Sequence, residues 1–249
     1  MKNIIRYILQ RCLGFKNYLF LFSIISIKRI ETNSAEEEFM YFVKLVPNEG
    51  IILDIGANIG ITTIPLANQK DKAIIYSFEP MPENIATLTR VVEYFKLSNV
   101  KIFDFALGET NGELTMVMPV ISHVKMQGLS HIQFNGTDQK PSIGNEIKVI
   151  VKTLDTIPEI NAAKKITAIK IDVENFEYFV LKGGRQLLLN HKPIIYCELW
   201  KNEMRELTIK YLGDLGYSVK VFHNKQLMDY RDSAINFFFI PANFQGYEI

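Results

Sequence analysis

The sequence predicts an α/β domain built on a mostly parallel sheet with helices on both faces. Three observations carry this. From residue 36 onward, short apolar runs of strand length alternate with longer segments of helical spacing. The first run, Ile51-Ile52-Leu53, reads as a buried parallel strand and enters a glycine-bearing turn, Asp54-Ile55-Gly56-Ala57-Asn58-Ile59-Gly60. That turn precedes a segment able to start a helix, 61–67, and strand, glycine turn and helix in succession form a nucleotide-binding βα unit.

The details of the turn select the ligand. A dinucleotide site wants a second glycine two residues after the first, so that backbone can approach a pyrophosphate. Asn58 stands there. Asp54, at the strand end, would repel phosphate and attract a cation. A cofactor without phosphate and with a positive centre fits better, and S-adenosylmethionine carries a sulfonium and an ammonium. The second strand, 73–78, ends in Glu79-Pro80, a little over 20 residues after the first glycine, where this kind of fold places a carboxylate for the ribose hydroxyls.

The remaining elements follow in order. Residues 4–30 are apolar and aromatic, interrupted by Arg6, Arg11, Lys16, Lys28 and Arg29. The uncharged run 17–27 is too short to span a bilayer, and no small-residue cleavage site follows it. Two readings stay open: a pair of helices packed on the domain, or a basic amphipathic segment lying on a membrane. Thr32-Asn33-Ser34 with Glu36 and Glu37 marks a helix start, continued over 38–46. Residues 1–35 are therefore set apart as a helical segment, and 36–249 as the main domain. Pro82-Glu83-Asn84 opens an amphipathic helix with Ile85, Leu88, Val91, Val92 and Phe95 at helical spacing. A third strand spans 100–105. Residues 112–151 break the rhythm, with strands at 113–118 and 146–151 around a stretch rich in Gly, Ser, Asn and His, which reads as a functional loop or lid. Strands then recur at 166–171, 193–198, 217–222 and 234–240, separated by helices over 176–189 and 203–215.

Composition limits the alternatives. At 249 residues the chain suits one α/β domain with extra elements. A net charge of +1 offers no global field for nucleic acid. Cys12 and Cys197 lack metal or redox spacing and read as reduced, buried thiols of a cytoplasmic protein. The four histidines, His123, His131, His191 and His223, form no metal-ligand pattern, so no metal site is expected.

Together these motifs resemble the FkbM family of S-adenosylmethionine-dependent methyltransferases. The matching pieces are Asp54 to Gly60, then Phe78-Glu79-Pro80 with Pro82 and Asn84, then Ala106-Leu107-Gly108. Thr153-Leu154-Asp155, Ile169-Lys170-Ile171-Asp172-Val173-Glu174 and Glu198 follow. The resemblance covers roughly residues 36–240. Asn175 departs from it, since the family usually has glycine there. Asparagine is the best non-glycine residue for a left-handed backbone, so the turn should survive. The resemblance implies a Rossmann-like class I methyltransferase fold with a seven-stranded sheet whose last strand is antiparallel. It also implies O-methylation of sugars or small molecules, as in polysaccharide biosynthesis.

The expected cofactor contacts are Asp54, Gly56, Ala57, Asn58, Gly60, Glu79, Pro80, Asp104, Ala106 and Leu107, with Asp104 and Ala106 near the adenine. Ligands of an open α/β sheet bind beyond the carboxyl ends of its strands. Asp172, Glu174 and Glu198 end the fourth and fifth strands and should face the methyl-transfer region as the catalytic acids. His123 and His131 in the insert are further candidates for a base. The expected acceptor is a glycan or small hydroxylated metabolite, and the expected location is the cytoplasm, with peripheral contact at the inner membrane face through residues 1–30. A nicotinamide-dependent oxidoreductase is the competing enzyme, disfavoured by Asn58 and Asp54. An inactive binding module of the same fold is the non-enzymatic alternative, disfavoured by the intact acids Asp54, Glu79, Asp172 and Glu174.

Overall fold

The computed structural model describes residues 2–32, 36–121, 124–125, 131–132, 144–230, 234–242 and 244. The chain opens with helices α1 (Lys2–Leu13), α2 (Phe15–Thr32) and α3 (Glu37–Leu45). The core alternation follows as β1 (Ile51–Ile55), α4 (Thr63–Gln69), β2 (Ile74–Phe78), α5 (Pro82–Tyr94) and β3 (Val100–Phe103). Then come β4 (Ala106–Leu107), β5 (Gly112–Ile121), β6 (Val124–Lys125), β7 (His131–Ile132) and β8 (Gly144–Lys152). After a single 3-10 turn at Leu154–Thr156, the chain continues with α6 (Pro158–Asn161), β9 (Ile166–Ile171), α7 (Glu177–Lys182), α8 (Arg185–His191) and β10 (Ile194–Glu198). It closes with α9 (Glu203–Asp214), β11 (Tyr217–His223), β12 (Gln226–Asp229) and β13 (Asn236–Pro241).

The central sheet runs β12-β11-β13-β10-β9-β1-β2-β3. Pairings from β10 across to β3 are parallel, whereas β13 runs antiparallel to both β10 and β11. The α/β architecture and the antiparallel last strand are as expected. The sheet has eight strands, not seven, because β12 adds an antiparallel edge to β11. Its turn holds Asn224 and Lys225 at φ 49° and 63°. Two consecutive positive φ values belong to the hairpin turn that matches strand twist, and Asn is a favoured first residue for it.

Pleating distributes the core. Leu53 and Ile55 of β1 join Leu181, Leu188 and Leu212 from α7, α8 and α9 on one face. Ile52 points the other way, to Phe42 and Leu66 of α3 and α4. Burial on both faces explains why β1 reads as a continuous apolar run rather than an alternating one.

Three expectations need correction. Cys12, expected to be buried, is exposed, whereas Cys197 is buried. The helix expected over 176–189 is two helices, α7 and α8. A Cβ on Gly183 would overlap the Gly108 carbonyl, and one on Gly184 would press on Leu154, so the chain must break where it passes these neighbours. Asp155 then accepts from the backbone N–H groups of Gln186 and Leu187 at 2.9 and 3.0 Å, which stabilises the new helix start. The insert, in turn, builds its own sheet, in which β8 lies between β4 and β5 and β6 and β7 pair with β5. His123 and residues 133–143 of the expected lid lie outside the described residues, as does the expected helix start at Asn33-Ser34.

Of the two open readings of residues 1–30, docking on the domain holds for α2. Leu19 and Ile27 are fully buried, and Ser23 Oγ donates to the Ile59 carbonyl at 2.7 Å. No described helix is by itself long and apolar enough to cross a membrane.

Candidate functional site

The carboxyl ends of β1, β2 and β9 meet around a cleft lined among others by Ile55, Phe78, Glu79, Asp172 and Val173. Gly56 makes the meeting possible. Its φ is 76°, and a Cβ there would overlap the Asp172 carbonyl. The turn is pinned to β2, since Gly56 N and Ala57 N both donate to the Phe78 carbonyl at 3.1 and 3.0 Å. Asn58 sits at φ 50°, a left-handed position in which asparagine is tolerated.

Of the expected cofactor residues, Gly56, Asn58, Glu79, Pro80, Ala106 and Leu107 line the cleft. Asp54, Ala57, Gly60 and Asp104 do not. Asp54 is fully buried beneath the turn. It accepts from Thr62 Oγ1 at 3.0 Å and Thr63 Oγ1 at 2.6 Å, and its counter-cation is Lys170. Asp54 thus attracts a cation as its position suggested, but the cation belongs to this chain. Ala57 is buried, and Gly60 turns the chain at φ 88° toward α4. Asp104 is exposed on the far side of its strand end, and Phe105-Ala106-Leu107 form that wall instead.

Glu79 is the central acceptor. Oε2 accepts from Asn58 N at 2.8 Å, and Oε1 accepts from Met81 N and Asn84 Nδ2 at 3.0 and 3.1 Å. Burial raises its pKa, and these three donors together with the Lys170 ammonium oppose the rise. Two side-chain acceptors at the cleft, Asn58 Oδ1 and Asn84 Oδ1, are buried without a hydrogen-bond partner. Unspent buried acceptors are costly in a folded protein unless something donates to them. A molecule rich in donors, with hydroxyls, an ammonium and an amino group, satisfies this donor demand.

The wall expected to face the acceptor lies at the ends of β9 and β10. Asp172 and Glu174 line the cleft. Glu174 and Asn175 hold φ values of 53° and 72°, so the expected left-handed turn is retained without glycine. Asn202 Nδ2 donates to Asn175 Oδ1 and ties the turn to the start of α9. Glu198 ends β10 outside the cleft lining, yet it feels both acids. Its pKa is pushed up to about 7, first by burial and then by Asp172 and Glu174. Lys170 lies behind the cluster. Burial disfavours its charge, but Asp54 and Asp172 outweigh that and raise its pKa.

Sequence reading missed Asn84, Phe105, Met116, Val173 and Phe176 as wall residues, and Glu177 as their support. Glu177 Oε1 accepts from Val173 N and Asn175 N at 3.0 and 3.2 Å, and burial raises its pKa to about 7. Glu177 is the first residue of α7 and reaches back to the turn before it rather than to the N-cap N–H, so it does not form a capping box and no spacing in the sequence announced it. Among the described residues no group of three His, Cys, Asp and Glu side chains is placed to hold a metal ion.

Comparison with known proteins adds the following. The profile of the family described as "Methyltransferase FkbM domain" matches residues 54–219, more than half of the chain. "Methyltransferase 1" of Beauveria bassiana (strain ARSEF 2860) is 30% identical over 154 residues, covering 57% of this chain and 61% of that protein. The crystal structure of methyltransferase FkbM from Methylobacillus flagellatus KT matches at a TM-score of 0.53 and 17% identity, covering 96% of this chain and 59% of that one. The chain thus spans about six tenths of the length of each relative. The structural match is a likeness of fold.

Proposed function

Because the chain belongs to the FkbM methyltransferase family, whose cofactor is S-adenosylmethionine, we propose that it methylates a hydroxyl oxygen of a glycan or another small hydroxylated metabolite. When bound, the cofactor supplies a methyl group on a sulfonium, open to in-line displacement. The cleft residues fit it by their donor demand. Glu79 would take the ribose hydroxyls, Asn58 and Asn84 supply further acceptors, and Phe105, Ala106 and Leu107 form the apolar wall for the base.

The observation that carries the oxygen-directed reading is the acid cluster at the strand ends. A hydroxyl must lose its proton as it reacts, and a general base works best with a pKa near the working pH. Glu198, at about 7, has that property, and Asp172 and Glu174 stand at the cleft beside it. Asp172 orients the hydroxyl, and the cluster accepts the proton. Phe105, Met116 and Phe176 give the cleft apolar walls that restrict water around the reacting atoms. Positioning alone supplies much of the rate in such a displacement.

The test is product analysis. The purified chain is incubated with methyl-labelled S-adenosylmethionine and a panel of oligosaccharides and small polyols. An alkali-stable methyl ether on the acceptor supports the reading. Label found only in methylamine removes the oxygen assignment, and label found only in an alkali-labile ester moves it from a hydroxyl to a carboxylate, each leaving methyl transfer intact.

A further inference from the structure

The two N-terminal helices are mounted differently. Helix α2 is seated on the domain: besides its buried side chains, the Arg90 guanidinium lies 3.9 Å from the centre of the Phe20 ring and donates to Asn17 Oδ1 at 2.9 Å. Helix α1 leaves it at a 120° bend at Gly14, whose φ is 72°. Ile4, Ile5, Ile8 and Leu9 are 64%, 53%, 51% and 40% exposed. At 3.6 residues per turn these four share one face with Cys12, while Arg6 and Gln10 lie on the opposite side. Arg6 and Gln10 are half-buried. The helix therefore presents its most apolar face outward, with Arg6 and Gln10 toward the protein and Arg11 exposed, the reverse of an ordinary surface helix, whose apolar face is buried. On helix α2, Leu21 and Ile25 are also exposed, and Lys28 and Arg29 are exposed one turn on.

Charge decides what covers this face. Six of the chain's 28 Lys and Arg lie in residues 1–30, and none of its 27 Asp and Glu does. A second copy meeting this face through a two-fold axis would set the same cations against one another. An anionic bilayer offers both an apolar interior for the isoleucines and negative headgroups for the cations. We infer that α1, with the exposed edge of α2, is an interfacial anchor that lays this protein on an anionic lipid surface. It does not span, because the buried contacts of α2 hold that helix on the domain and α1 alone is too short.

The anchor joins the protein beside the cleft. Helix α1 meets β6 of the insert. Phe15, at the head of α2, packs on the cluster containing Ala106 and Met116, which also line the cleft. Anchoring therefore holds the cleft close to the lipid surface. This inference stands independently of the acceptor chemistry proposed above.

Vesicle flotation tests it with the full chain. Vesicles of phosphatidylcholine with phosphatidylglycerol should carry the protein, and phosphatidylcholine alone should carry far less. An Ile4→Glu/Ile8→Glu variant alters only exposed side chains and should float roughly tenfold less, with S-adenosylmethionine binding unchanged. A Lys16→Glu/Lys28→Glu/Arg29→Glu variant should lose the preference for phosphatidylglycerol. Equal flotation of parent and both variants, or no flotation of the parent on anionic vesicles, would overturn the inference. So would a dimer in solution that the Ile4→Glu/Ile8→Glu change dissociates while the parent ignores lipid.

Discussion

The Lys170 ammonium lies 3.5 Å from Asp54 Oδ1, and both side chains are buried within the sheet. The same ammonium donates to the Gly56 carbonyl at 3.1 Å and stands 3.8 Å from Asp172 Oδ2. One buried cation thereby links the glycine turn that follows β1 to the acid that follows β9. An ion pair of this kind owes its place to geometry more than to net stabilisation, because taking both charges out of water offsets most of their attraction.

Removing one partner leaves the other unpaired. Lys170→Met should destabilise the fold by about 3–5 kcal/mol, the usual cost of stranding a buried charge. Urea denaturation measures this. Asp54→Asn in the same chain should recover part of the loss, since the stranded carboxylate is gone. An unchanged midpoint for Lys170→Met would show that the pair carries no structural weight.

Glu177 gives stability a pH signature. Burial lifts its pKa from 4.5 to about 7, so the folded state favours the protonated carboxyl. That contribution is complete below pH 4.5 and is lost as pH rises through about 7. Glu177→Gln mimics the protonated form at every pH. The variant should gain on the parent across this window by on the order of 2–3 kcal/mol. Parallel stability curves for parent and variant would place the Glu177 pKa near its ordinary value.

The acids of the acceptor side separate by their effects on rate. Asp172→Asn preserves shape and should slow methyl transfer by roughly 10²–10⁴, with cofactor affinity nearly unchanged. In the parent, the rate at saturating cofactor should climb through pH 7 as Glu198 loses its proton. Glu198→Gln should remove that limb. Normal turnover by Asp172→Asn would make this acid structural. A pH-rate profile unaltered in Glu198→Gln would assign the rising limb to another group.

Much of this was legible in the sequence. The inner strands β1, β2, β9 and β10 announced themselves as apolar runs, because burial on both faces removes the alternation that would make them ambiguous, whereas the half-exposed edge strand β12 did not. The turn at Asn175 was readable because asparagine is the non-glycine residue that best tolerates a left-handed backbone. The failures share a cause. Asp54 and Asp104 sit at strand ends where acids often meet ligands, but whether an acid faces the cleft, the core or solvent depends on the side of the pleat, which a strand of uncertain end does not reveal. Apolar spacing carried the α7–α8 helix straight through Gly183-Gly184, since nothing local announces that the Gly108 carbonyl and Leu154 pass there. Phe105, Met116 and Phe176 were invisible as wall residues because an apolar side chain lining a cleft has the same sequence signature as one in the core.

The most direct measurement is calorimetric titration of S-adenosylmethionine, with NAD in parallel, into the parent chain and Glu79→Ala. Glu79 is the buried carboxylate on which Asn58, Met81 and Asn84 converge at the cleft. Hydrogen bonds to a charged group contribute about 1.5–3 kcal/mol. The parent should bind S-adenosylmethionine in preference to NAD, and Glu79→Ala should bind it at least about tenfold more weakly. Equal affinity in parent and variant, or tighter binding of NAD by the parent, would contradict the assignment of this cleft to the cofactor.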